Sequence, residues 1–344
     1  MCCIARSRVW GSVNRGPTSE EGYMTSLRHT TRAYILRRSL PFAKTPLRPQ
    51  KLASHHRSFS NTAAMANPLQ QASRIFQAFK KGSPTFGAWQ VRASRYFRIH
   101  ILQTLSLYQM LPGTNHSRAI ARSGVDWICV DCEHGNIDDS QMHEAVNAIA
   151  SARVSPLVRI PANEPHYIKR ALDAGAHGIV VPLIYSVYDA QELVSAAKFP
   201  PQGTRGFGSP FSTQTFNDDD LPTYLQHANA ALITLVQIET KEALEQVREI
   251  AAVEGVDCLL IGPFDLGNNI GRPILGEMHE ELKKAIERIK EAARGEGKKV
   301  GIYCTSAEDA RDCAQRGFDF ISIANDRGAI TEYFRQTLKV ASGK

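Results

Sequence analysis

From residue 110 to the C-terminus, short apolar runs rich in Val, Ile and Leu alternate with longer stretches whose apolar residues recur at helical spacing. Runs at 125–131, 155–160, 178–183, 231–238, 256–262, 298–304 and 318–324 predict strands, and TFGAWQ (85–90) ahead of them makes an eighth. Nearly every run is followed by a predicted helix. Strands apolar on both faces and joined through helices imply a parallel sheet. Eight such units in roughly 260 residues is the size of a closed barrel. The expected fold class is therefore α/β, a (β/α)8 TIM barrel. An open doubly wound sheet is the rival, but it needs a Gly-rich nucleotide turn after its first strand, and the sequence has none.

Charge divides the chain in two. The 344 residues carry a net charge of +7, yet residues 1–65 alone hold eleven Lys and Arg against Glu20 and Glu21. The remainder is thus slightly acidic, which excludes a basic nucleic-acid footprint on the folded part. No apolar run has the length of a membrane span, so no membrane partner is expected. Residues 1–65 are rich in Arg and Ser and read as a disordered mitochondrial presequence, with RSFS (57–60) as the processing neighbourhood. The expected location is the mitochondrial matrix, or the cytoplasm if translation starts at Met65; a plain basic tail is the alternative. Residues 66–344 form the barrel domain, opening with an amphipathic helix over 66–84.

The seven cysteines (2, 3, 129, 132, 258, 304 and 313) are odd in number and mostly lie in apolar runs, which suits reduced thiols. Cys129 and Cys132 would point to opposite faces of a strand, so they cannot share a metal.

Residues 91–109, VRASRYFRIHILQTLSLYQ, break the rhythm. They bear Arg92, Arg95, Arg98 and His100 with no acid, and separate TFGAWQ from the MLPGTNHSRA that would follow it naturally. One reading is an amphipathic helix over the barrel mouth. The other, slightly preferred, is a retained in-frame intron, because Val-Arg and Tyr-Gln can be encoded across splice junctions.

Polar residues gather where the apolar runs end. The second run stops at Asp131, Glu133 and His134; the third carries Arg159; Asp173 precedes Gly175; the fifth ends in Gln237 and Glu239; the sixth runs into Phe264 and Asp265. The C-terminal edge of barrel strands is where such a fold holds a substrate. Glu239 and Asp265 come from successive units and can converge, and two carboxylates plus water cradle Mg²⁺ or Mn²⁺. Either acid alone would read as a helix cap. His134 beside Asp131 and Glu133 is a candidate general base. Arg159 needs an anion, either Asp131 or Asp173, or a substrate carboxylate or enolate.

The motifs VDCEH (130–134), LVRIP (157–161), ALDAGAHGIVVP (171–182), PPQGTRGFG (200–208), LVQIET (235–240) and GPFDLG (262–267), in this order, resemble the HpcH/HpaI aldolase family. These are metal-dependent (class II) pyruvate aldolases of the phosphoenolpyruvate/pyruvate barrel superfamily. The resemblance covers roughly 85–90 and 110–330. It implies Glu239 and Asp265 as ligands of a divalent metal (Mg²⁺ or Mn²⁺, possibly Co²⁺), and His134 with Asp131 as the base dyad. It implies Arg159 on the pyruvoyl oxygen, Gln237 near the substrate, Glu133 and Asp173 in support, and a homo-oligomer, typically a hexamer exchanging its last helix. Phe264 and Gly267 depart from the Ala and Ser of many bacterial relatives, and Phe264 narrows the expected pocket. The implied reaction is cleavage of a 4-hydroxy-2-oxo acid to pyruvate and an aldehyde through a metal-stabilised pyruvate enolate. Oxaloacetate decarboxylation, a citrate lyase β-like acyl-CoA lyase, and an inactive product or binding subunit caused by 91–109 are the alternatives.

Overall fold

Period-two burial along very short strands sets the architecture. The computed structural model describes residues 67–82, 85–87, 106–216 and 220–343, so the presequence reading lies outside the described residues. The strands are β1 (Thr85–Gly87), β2 (Ser106–Gln109), β3 (Trp127–Asp131), β4 (Ser155–Arg159), β5 (Gly178–Val181), β6 (Ile233–Ile238), β7 (Cys258–Ile261), β8 (Lys299–Tyr303) and β9 (Phe320–Asn325). All pair in parallel. The order from β2 to β8 is sequential, and β9 closes the ring between β8 and β2.

Alternate residues face in and out. Trp127, Cys129, Leu157, Val180, Leu235, Leu260 and Phe320 form the barrel interior, where Trp127 stacks on Phe320 with centroids 3.7 Å apart. Their neighbours Ile128, Val130, Val158, Ile179, Val236 and Leu259 pack outward on the helices. Gly178 is required by this closeness, since a Cβ there would stand 2.5 Å from the carbonyl oxygen of Ile233.

The predicted helix at 66–84 is two helices, Pro68–Ala72 and Arg74–Lys81, because Ser73 leaves the helix to cap the second. Ile75 from the second joins the barrel interior, and its N–H donates to Ser155 Oγ at the start of β4. This segment therefore packs at the N-terminal end of the barrel. Asp220 caps a helix over Leu221–Ala231. The helix ahead of β3 starts at Thr114 after Gly113. Among the described residues no helix is long and apolar enough to cross a membrane.

The segment 91–109 is where expectation and structure part. Its last residues, Ser106–Gln109, are a barrel strand, not a helix over the mouth. β1 pairs with β9 as far as Gly87↔Ser322, and β2 resumes on the same strand at Ser106↔Ser322. Gly87 and Ser106 thus occupy one register position on β9, and residues 88–105 lie outside the described residues.

Candidate active site

Register brings the first ionic pair together. Asp131 ends β3 and Arg159 ends β4, directly paired across the sheet. Arg159 Nε donates to Asp131 Oδ1 at 2.9 Å and Nη2 to Oδ2 at 2.6 Å, a two-pronged pair. Asp131 is fully buried and also accepts the backbone N–H groups of Glu133 and His134, both at 3.2 Å. The guanidinium lies 4.7 Å from the ring centre of Tyr108, on β2.

This geometry corrects the expected Asp131–His134 dyad. Asp131 holds the backbone of His134, while its carboxylate serves Arg159. The carboxylate nearest the imidazole is Glu133, with Oε2 at 3.8 Å from His134 Nε2 and 3.2 Å from Arg159 Nη1. Burial pushes Glu133 up to about 7; Arg159 opposes this, and Asp131 and Asp265 add to it.

Glu239 follows β6 with only 2% of its surface exposed. Its Oε1 accepts the N–H of Leu183 at 2.9 Å, and its Oε2 accepts Gln237 Nε2 at 2.7 Å. Leu183 holds φ at +50°, a conformation non-glycine residues seldom adopt, in the turn that delivers this donor. Gly262 faces the other oxygen. A Cβ at 262 would stand 2.2 Å from Glu239 Oε2, so glycine keeps that side of the carboxylate clear. Burial raises Glu239 to about 7 against the Leu183 hydrogen bond, with Asp265 and Glu133 raising it further.

Asp265 lies in the first turn of the helix Pro263–Asn269, exposed, with no side chain donating to it among the described residues. Glu239, Asp265, Gln237, Arg159, His134, Asp131 and Phe264 line one cavity of about 190 Å³. Asp173 does not. It ends the helix Pro165–Asp173, which runs back toward the start of β5, and pairs with Arg205 Nη2 at 3.0 Å. Its place is at the other end of the barrel, a correction to its expected position beside the strand ends.

Tyr108, Tyr303 and Asn325 also line the cavity and were not singled out from the sequence. Tyr303 and Asn325 lie at strand C-termini, the same positional signal that marked the acids; Tyr108 lay hidden in the segment set aside as foreign. Asn325 Nδ2 donates to Tyr303 Oη at 3.1 Å, and the next residue, Asp326, accepts the N–H groups of Met110 and Leu111.

Among the described residues no three His, Cys, Asp or Glu side chains are arranged to hold a metal by themselves. The cavity offers two carboxylates, with the buried Gln237 Oε1 unpartnered beside them. Hard oxygen donors, few in number, at a site where burial and neighbouring carboxylates keep Glu239 from ionising easily, fit a divalent cation that keeps positions for substrate and water.

Residues 107–332 match the family model described as HpcH/HpaI aldolase/citrate lyase. The chain belongs to that family. An HpcH/HpaI chain of this kind has relatives close to its full barrel length. A hydroxypyruvate/pyruvate aldolase of Rhizorhabdus wittichii is 36% identical over 235 residues, 68% of this chain and 92% of that protein. A 2-dehydro-3,6-dideoxy-6-sulfogluconate aldolase of Pseudomonas putida is 32% identical over 243 residues, 70% and 93% of the two chains. The crystal structure of an HpcH/HpaI aldolase/citrate lyase family protein from Burkholderia cenocepacia matches with a TM-score of 0.67 at 31% identity, covering 80% of this chain and 99% of that one. The HpcH/HpaI match begins at Leu107, inside β2 and near the end of the unusual segment.

Proposed function

We propose that the chain is a class II, metal-dependent aldolase that cleaves 4-hydroxy-2-oxo acids to pyruvate and an aldehyde. The observation that carries this reading is the convergence of Glu239 and Asp265 on one cavity with the Asp131-held guanidinium of Arg159 and the imidazole of His134. Glu239 and Asp265 would hold the cation. Bound there, Mg²⁺ or Mn²⁺ supplies a Lewis acid for the carboxylate and keto oxygens of the substrate.

The remaining work falls to the chain's own side chains. His134 takes the proton of the 4-hydroxyl as the C3–C4 bond breaks, and the 4-carbon leaves as an aldehyde. The bonding electrons pass to the pyruvate fragment as an enolate, and protonation at C3 completes pyruvate. Arg159 places positive charge beside the developing enolate oxygen, in a site where burial strengthens it. Its orientation is fixed before substrate arrives, by Asp131 on one edge and the Tyr108 ring on its face. Glu133, beside both Arg159 and His134, is positioned to accept the proton's charge on the imidazole. Gln237 orients Glu239 through its Nε2, and its buried carbonyl oxygen has no hydrogen-bond partner.

Oxaloacetate decarboxylation passes through the same enolate. The small cavity, walled by Phe264, favours acids of that size as second substrates. A homo-oligomer is the preferred assembly. The last helix, Asp326–Ala341, leaves Tyr333, Phe334, Leu338 and Val340 exposed, an apolar face that supports packing on another copy.

The test is pyruvate release from a panel of 4-hydroxy-2-oxo acids. Release that stops in EDTA and returns with Mg²⁺ or Mn²⁺ is the expected result. Full activity in EDTA, or activity on acyl-CoA thioesters alone, would overturn the reading.

A further inference from the structure

The proposed aldolase chemistry uses no thiol, yet two of them lie in contact. Cys304 follows β8, and Cys313 lies in the helix Ala307–Gln315 that comes next. Their sulfurs are 3.7 Å apart, with the Cys304 S–H donating to Cys313 Sγ. Each residue is about 5% exposed, but both line a cavity of about 440 Å³ that also contains Arg316 and Met278. That cavity shares Pro263, Phe264 and Tyr303 with the catalytic one. A small oxidant reaching it meets both sulfurs together, and neither is packed solidly on that side.

We propose that Cys304 and Cys313 are a peroxide-sensitive dithiol that closes to a disulfide and slows turnover in the adjoining cavity. Cys313 is the nucleophile: the Cys304 hydrogen bond holds its thiol below the ordinary range against the effect of burial, and Arg316 adds to this. Cys313 sulfur attacks a peroxide oxygen; the S–O bond forms, the O–O bond breaks, and the departing hydroxide takes the thiol proton as water. Cys304 sulfur then attacks the sulfenic acid; the S–S bond forms, the S–O bond breaks, and hydroxide leaves with the second thiol proton as water. The two sulfurs lose two electrons, and the peroxide gains them. The sulfurs must approach by roughly 1.7 Å to reach disulfide length.

That approach pulls on a constrained residue. The backbone N–H of Cys304 is bonded to the Ser322 carbonyl at 2.6 Å, so any backbone shift that accompanies disulfide closure is passed to the ends of β8 and β9. The residue before it, Tyr303, walls the catalytic cavity and sits edge-on to Tyr108, which carries the Arg159 guanidinium on its face. The redox step stands independently of the aldolase reading; only its effect on turnover rests on it.

The experiment treats the full chain with hydrogen peroxide, alkylates the remaining thiols and digests with trypsin. Cleavage after Lys299, Arg311 and Arg316 puts the two cysteines on separate peptides, 300–311 and 312–316. The expected product is these two peptides joined, short of two hydrogens, with pyruvate release reduced several-fold and both changes reversed by dithiothreitol. Cys304→Ser and Cys313→Ser should keep their basal activity and lose the response. Absence of the joined peptide overturns the dithiol. A joined peptide with unchanged turnover, or an equal loss in the serine variants, overturns its control of the site. A chain that releases no pyruvate before treatment counts against the aldolase reading, while the joined peptide still decides the dithiol.

Discussion

Arg159 is gripped on two prongs by Asp131, the residue directly opposite it on the neighbouring strand, at 2.9 and 2.6 Å. The pair sits where the barrel interior meets the cavity, and it makes Asp131 a positioning residue for the guanidinium. Asp131→Asn keeps the shape and removes the charge. Pyruvate release should fall by about two orders of magnitude, as when a preorganised electrostatic group is lost. The buried arginine left with a weakened partner should lower stability by about 3 kcal/mol. Steady-state kinetics beside a urea melt measure both. Near-normal kinetics in a stable variant would show that Arg159 does not need this anchor.

Gly262 gives a test of the cation cradle that leaves both proposed ligands in place. Its φ of −93° suits alanine, so Gly262→Ala introduces no backbone strain. The new methyl would meet Glu239 Oε2 at 2.2 Å and force the carboxylate aside. Calorimetric titration with Mn²⁺ should show affinity weakened by about tenfold or more, with circular dichroism unchanged. Unaltered affinity would place the cation elsewhere.

The expected barrel follows from the alternation of residues such as Ile128, Val130, Val158 and Val236 with the interior set, because burial on both faces is written into composition. Each of the eight expected strands has its counterpart, and Ser106–Gln109 is a ninth that the apolar runs did not mark. The acids and Arg159 were legible for a related reason: a charge at the end of a dry strand has few structural uses. What stayed hidden depends on side-chain direction. Asp131 was one of the anions expected for Arg159, but nothing in the order of Asp131, Glu133 and His134 says that Glu133 is then the carboxylate nearest the imidazole. Tyr108 was missed because two short segments, around Gly87 and around Ser106, are equally able to fill one strand position.

That equivalence makes a prediction of its own. Gly87 and Ser106 both pair with Ser322, and Gln90 and Gln109 each end a segment that can run into Met110. Deleting 91–109 should therefore preserve the register and the barrel. Joining Gln90 directly to Met110 spares a chain-closure cost on the order of 2 kcal/mol, so the shortened chain should melt no lower than the full one. An insoluble or unfolded shortened chain would show that SLYQ (106–109) is indispensable.

His177 sets a pH dependence of stability away from the site. It is fully buried, stacked on Phe216 with centroids 4.2 Å apart, with Nε2 bonded to the Thr215 carbonyl at 3.0 Å. Burial pushes its pKa down to about 4, from an ordinary 6.5, despite that hydrogen bond. The unfolded chain therefore binds more protons between those values. The contribution is complete above the unfolded value and is lost as pH falls toward the folded one, on the order of 3 kcal/mol in all. Urea midpoints between about pH 7 and about pH 4.5 should fall in the native chain, and His177→Gln should flatten that slope. Parallel slopes would assign the acid sensitivity to other groups.

Binding of Mn²⁺ to the full chain, followed by electron paramagnetic resonance, tests the central claim most directly. One site per chain, lost in both Glu239→Gln and Asp265→Asn along with pyruvate release, is the predicted result. Binding that survives both substitutions unchanged would contradict it, since those two carboxylates would then hold no shared ion.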